Sequence, residues 1–74
     1  MIIGRLKGEI AALGADHVLI DVNNVGYVCL AGTRLLSRVA VGETATLHVE
    51  TRVTENAITL FAFGSDEERA WFVR

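Results

Sequence analysis

The sequence predicts an all-β fold, a small five-stranded Greek-key barrel with a short helical insertion and the start of a helix at its C-terminal end. Three observations carry that expectation. Apolar residues alternate with polar ones at a period of two over most of the chain, as in strands that bury one face. Turn residues separate the alternating segments at short intervals. With 74 residues and 51% hydrophobic content, the chain can build one modest core and no second domain.

The elements follow in order. Ile2 to Ile10 reads as a first strand, with Ile2, Gly4, Leu6, Gly8 and Ile10 on one face and Ile3, Arg5, Lys7 and Glu9 on the other. Glycines at positions 4 and 8 suit a strand that bends or lets another backbone come close. Ala11 to Asp16, with Gly14, reads as a turn. His17 to Val22 is a second strand. Asn23-Asn24 is a turn signal, because asparagine tolerates positive φ. Val25 to Ala31 is a third strand and completes a hairpin. Gly32 to Val41 breaks the period; Thr33 is expected to cap a short helical turn carrying Leu35, Leu36 and Val39. Gly42-Glu43 turns the chain into a long fourth strand, Thr44 to Val53, with Leu47, Val49, Thr51 and Val53 on one face. Thr54 to Ala57 is a hairpin tip, and Ile58 to Phe63 returns as the fifth strand. Gly64 ends it. Ser65, with Glu68 three residues on, forms a capping box that opens a helix bearing Trp71, Phe72 and Val73. A helix this short needs something packed on it. Either its aromatics tuck back on the barrel, or the chain is a fragment cut as a second domain begins. Five strands with a helical insertion after the third suggest the OB type of barrel, with residues 1–64 as the domain and 65–74 as the start of a further helix.

Composition excludes several functions. The formal net charge of −2 is unlike that of a simple electrostatic DNA binder. No apolar run suits a signal peptide or a membrane span, and a single cysteine cannot form an internal disulfide. A reducing, cytoplasmic setting fits. His17, His48 and Cys29 sit on three different strands without metal-ligand spacing, so two solvent-facing histidines and a buried thiol are expected. No nucleophile-base arrangement and no phosphate-cradling glycine loop is visible. The reading is therefore non-catalytic, with no metal and no cofactor. An OB barrel of this kind binds nucleic acid, sugars or other protein chains. Tyr27, Phe61 and Phe63 are candidates for stacking on bases, against the plainer role of packing the barrel. Arg5, Lys7 and Arg52 are expected to meet on one surface as a weak, salt-sensitive phosphate contact, or else as a solvated strand face. At the hairpin tip, Glu55 and Asn56 project, and a fixed carboxylate near DNA repels phosphates.

Several stretches together resemble the N-terminal domain of RuvA, the bacterial family that binds Holliday junctions. Met1-Ile-Ile-Gly-Arg-Leu-Lys-Gly8 is similar to the family's start, with an extra isoleucine. Leu19-Ile-Asp-Val-Asn-Asn-Val-Gly-Tyr27, the hairpin Thr51-Arg-Val-Thr-Glu-Asn-Ala57, Leu60-Phe-Ala-Phe-Gly64 and Glu67-Glu-Arg-Ala-Trp-Phe72 follow in the family's order. The resemblance covers essentially the whole chain. It implies an OB fold and a homotetramer that presents a flat face to four-way junction DNA in recombination, repair and the SOS response. It implies that the main phosphate grip lies in a following helix-hairpin-helix domain, and that the RuvB motor and the RuvC resolvase are partners. It also implies that the hairpin supplies an acidic pin at the crossover, here Glu55 and Asn56. The family's hairpin usually reads Arg-Glu-Asp. Asn56 is neutral where the second acid is expected, so repulsion at the crossover should be weaker; a turn needing positive φ would be one reason for an asparagine there. Readings that do not invoke junctions are an OB module for protein interaction or oligomerisation, and a generic binder of single-stranded nucleic acid.

Overall fold

Strand alternation closes on itself in space. The structure, a computed structural model, describes residues 4–72. The expectations for Ile2, Ile3 and Val73 fall outside those residues. Strands β1 (Arg5–Leu13), β2 (His17–Val22), β3 (Val25–Ala31), β4 (Thr44–Val53) and β5 (Ile58–Phe63) form a closed barrel in the order β1-β2-β3-β5-β4, with β4 returning to β1. All pairs are antiparallel except β3 with β5, which run parallel through Cys29↔Leu60, Leu30↔Phe61 and Ala31↔Ala62. That single parallel pair is what places β4 in the opposite direction between β5 and β1. The sequence-based expectation of a five-stranded Greek-key barrel is met.

The core is what the alternating positions supply. Leu6, Ile10, Val18, Ile20, Cys29, Leu47, Val49, Leu60 and Ala62 fill the interior, and Leu35 reaches it from α1 (Thr33–Leu36). Fully burying an aliphatic side chain of this size contributes roughly 1.5–3 kcal/mol, so these positions carry most of what opposes chain entropy. Gly8 faces inward with Leu6 and Ile10, and a methyl added there would overlap the Asp21 carbonyl of β2. The two backbones approach so closely that only glycine fits.

Three expectations change in detail. The first strand runs on past Ile10 to Leu13, because a bulge between Ile10 and Ala12 shifts the alternation and hides its continuation from a strict period of two. The turn is correspondingly short, closed by the Gly14 N–H donating to the His17 carbonyl at 2.8 Å. At α1, Gly32 rather than Thr33 occupies the N-cap, with no side-chain cap; Thr33 is already helical. The helix ends at Leu36, and Val39 packs on the core from outside it. The Asn23-Asn24 turn meets its expectation: φ is 52° and 69°, positive at both central positions, as a type I′ hairpin turn requires.

The last element, α2 (Asp66–Phe72), packs against β4 and β5. Ser65 caps it as expected, its Oγ accepting the Glu68 N–H at 3.2 Å. The Glu68 carboxylate reaches across to α1, to Arg34 at 3.5 Å and Arg38 at 4.0 Å.

Candidate nucleic-acid interface

Strands β4 and β5 are longer than the barrel needs. Their last buried rung is Thr51↔Leu60; beyond it Arg52↔Thr59 and Val53↔Ile58 continue the ladder into solvent. The turn at the end is tied by Thr54. Its N–H donates to the Ala57 carbonyl at 2.8 Å, and its hydroxyl accepts the Ala57 N–H at 3.2 Å. Glu55 and Asn56 form the exposed tip. Asn56 does not have a positive φ, since Asn23 and Asn24 are the non-glycine residues that do among those described. The turn conformation therefore gives no reason for an asparagine at the tip. Val53 and Ile58, 59% and 65% exposed, make an apolar collar below a single carboxylate. Among the described residues no ion pair engages Glu55.

The three bases of interest lie on one outer face of the β1–β4 pair, but not as one cluster. Arg5 stands opposite His48 and Lys7 opposite Thr46 on adjacent outward rungs. Arg52 is four residues further along β4, about 13 Å at the strand rise of ~3.3 Å per residue. Glu50 intervenes, and its carboxylate accepts a bond from the Arg69 guanidinium at 3.1 Å. The Arg52 guanidinium itself lies 5.0 Å from the centre of the Phe72 ring.

The aromatic residues divide. Tyr27 packs against the core cluster. Phe61 and Phe63 alternate with the buried Leu60 and Ala62, so they point out of the barrel, where Phe72 covers them at centroid distances of 4.9 Å and 5.1 Å. Packing the barrel therefore describes Tyr27, while the two phenylalanines hold α2. Phe72 tucks back; Trp71 stays largely exposed. Sequence reasoning missed Glu50, Arg69 and Phe72 as a linked group. The available signals were the outward phase of Glu50 and Arg52 and the three-residue spacing of Arg69 and Phe72.

Other chemistry finds no centre. Cys29 is buried in the core, and burial pushes its thiol up to about 11. His17, half-buried rather than solvent-facing, sits beside Asp16 at 3.1 Å, and His48 is half-buried on β4. Among the described residues no group of three or more histidine, cysteine or acidic side chains is placed to hold a metal ion.

The model of the RuvA N-terminal domain family matches residues 1–62. The chain belongs to the RuvA N-terminal domain family. It is 51% identical over 71 residues to the Holliday junction branch migration complex subunit RuvA of Maricaulis maris, covering 96% of this chain and 33% of that protein. The subunits of the same name from Agrobacterium fabrum and Methylobacterium radiotolerans are 49% and 48% identical, with 95% of this chain and 35% of each relative covered. The chain thus spans about a third of the length of the curated relatives it matches.

Proposed function

We propose that this chain is the junction-facing barrel of a RuvA-type subunit, a non-catalytic scaffold for four-way junction DNA in recombination, repair and the SOS response. The observation that carries the reading is the projecting β4–β5 hairpin, whose only charge at the tip is Glu55, on a chain of the RuvA N-terminal domain family. Glu55, with Asn56 beside it, acts as a pin at the crossover. A fixed carboxylate repels the phosphates of passing strands and steers them without adhering to them. The exposed collar of Val53 and Ile58 lets the tip stand among unstacked bases. Arg5 and Lys7, with Arg52 at the far end of the same face, add a minor contact to phosphate.

In this reading the domain is residues 1–64. Residues from 65 onward begin a helix that leads to a helix-hairpin-helix domain, which supplies the main grip on DNA. Net acidity in the barrel is then no obstacle, because the barrel guides rather than holds. The subunit assembles as a homotetramer in the cytoplasm, and exposed Val28 and Leu30 on β3 offer apolar surface for assembly. RuvB supplies the ATP-driven work, and RuvC cuts the junction.

The test is a graft. This chain replaces the matching third of the Maricaulis maris subunit, and binding to four-way junction and to plain duplex is compared by gel shift. The expected result is a retained preference for the junction, with little binding of either DNA by the 74-residue chain alone. Tight duplex binding by the chain alone at physiological salt would overturn the division of labour. A graft that forms an assembly by light scattering but has no junction preference would point to an oligomerisation module instead.

A further inference from the structure

We propose that Glu50 and Arg52 on β4 are positioning residues that fix the heading of α2 relative to the Glu55 hairpin. A helix of seven residues does not persist in water by itself, so its direction is set by what it packs on. Here the contacts are specific. Arg69 and Phe72, three residues apart, share one face of α2. Arg69 meets Glu50 at 3.1 Å, with side chains only 21% and 15% exposed. Phe72 is held against Phe61 and Phe63 and covered by the Arg52 guanidinium. An ion pair withdrawn from water in this way is screened far less than the longer pairs that the preceding residue, Glu68, makes with the exposed Arg34 and Arg38 of the α1 region.

Glu50 and Arg52 are alternate residues on the outer face of the strand that ends at the pin. Arg52 is two residues from Thr54, where the tip begins. One stiff element thus carries both the clamp for α2 and the base of the hairpin. The two move as one body, so the direction in which the chain leaves the barrel is tied to where Glu55 points. The functional weight of this coupling rests on the pin reading above; the coupling itself does not. Phe72 also walls an apolar cleft of about 330 Å³ with Leu30, Ala31 and Phe61, so release of the clamp would open that surface.

The experiment needs no DNA, so its failure is separate from failure of the pin assignment. Spin labels are attached at Asn56→Cys and Ala70→Cys in the 74-residue chain, where the buried Cys29 thiol is out of reach of the reagent. Pulsed dipolar spectroscopy reads the distance distribution between hairpin and helix. A single narrow distribution is expected, and Glu50→Gln or Arg52→Ala should at least double its width while the thermal midpoint of the barrel stays put. Exchanging the charges, Glu50→Arg with Arg69→Glu, should narrow it again. Arg52→Lys, which keeps the charge and loses the flat guanidinium, serves if Arg52→Ala does not fold, and it should also broaden the distribution. A broad distribution in the parent overturns the proposal outright. An unchanged width on replacing either residue removes that residue from the positioning role.

Discussion

Reversing the charge at the hairpin tip, Glu55→Lys, should tighten junction binding by the grafted subunit, and by an amount that salt controls. The tip stands in solvent beyond the last buried rung, so its interaction with a phosphate is governed by water. Two unit charges ~6 Å apart in water interact by about 0.7 kcal/mol, and reversal changes the sign, a swing of about 1.4 kcal/mol before screening. With a Debye length of about 8 Å at physiological salt the swing falls to roughly 0.7 kcal/mol, about threefold in affinity for each phosphate a tip meets. At 0.01 M salt the same arithmetic gives roughly sevenfold, and at 1 M less than about 1.5-fold. Glu55→Gln should give half the free-energy change. Asn56→Asp, which adds the second acid the family's pattern leads one to expect, should weaken binding by about 1.7-fold at physiological salt. Asn56→Ala should do almost nothing. Gel shifts on a four-way junction across that salt range are the assay. Weaker binding by Glu55→Lys, a gain that persists undiminished at 1 M salt, or an equal effect from Asn56→Ala would refute the electrostatic account of the tip.

Three further outcomes follow from the barrel itself. Gly8→Ala should cost about 1–3 kcal/mol of stability, because its methyl would meet backbone of β2 rather than a yielding side chain; a thermal midpoint within a degree of the parent would contradict the close approach. Asn24→Gly should be neutral or stabilising by up to about 1 kcal/mol, and Asn24→Val clearly destabilising, since both turn positions have positive φ. The Cys29 thiol is raised from 9.0 to about 11 by burial, so the unfolded chain releases its proton first as pH rises. The stability this group contributes is complete below pH 9.0 and is lost on the way up to about 11, and urea midpoints should fall across that window. Cys29→Ala should flatten that alkaline decline; an equally steep decline in the variant would assign it to other groups.

Strand periodicity made most of the barrel readable. Alternation along Thr44–Val53 and Ile58–Phe63 correctly identified both strands of the projecting hairpin, and with them the position of Glu55. It failed where the backbone departs from strict alternation. The bulge after Ile10 shifts the phase, so Ala11 to Leu13 resembled a turn although Ala12 and Leu13 pair with β2. It also could not say which face of a half-apolar strand is the inner one once a helix covers the outside. Phe61 and Phe63 are as apolar as Leu60 and Ala62, and only closure of the barrel, which admits one face, sends the phenylalanines out to meet Phe72. At α1, a threonine and a glycine are both acceptable first residues; the loop leaving β3 gave the cap position to Gly32.

By itself the sequence determined the number and order of strands, the turn at Asn23-Asn24, the buried thiol, the capped start of α2 and the acidic hairpin tip. These are local matters: a period, a side chain suited to a turn, or a capping hydroxyl acts within a few residues. Only the tertiary structure decided that β3 and β5 lie side by side, that Gly8 is crossed by the backbone of β2, and that Glu50 and Arg52 clamp Arg69 and Phe72. These depend on barrel closure, which brings together residues as far apart in the chain as Arg5 and His48 and leaves each strand face a single side on which to pack.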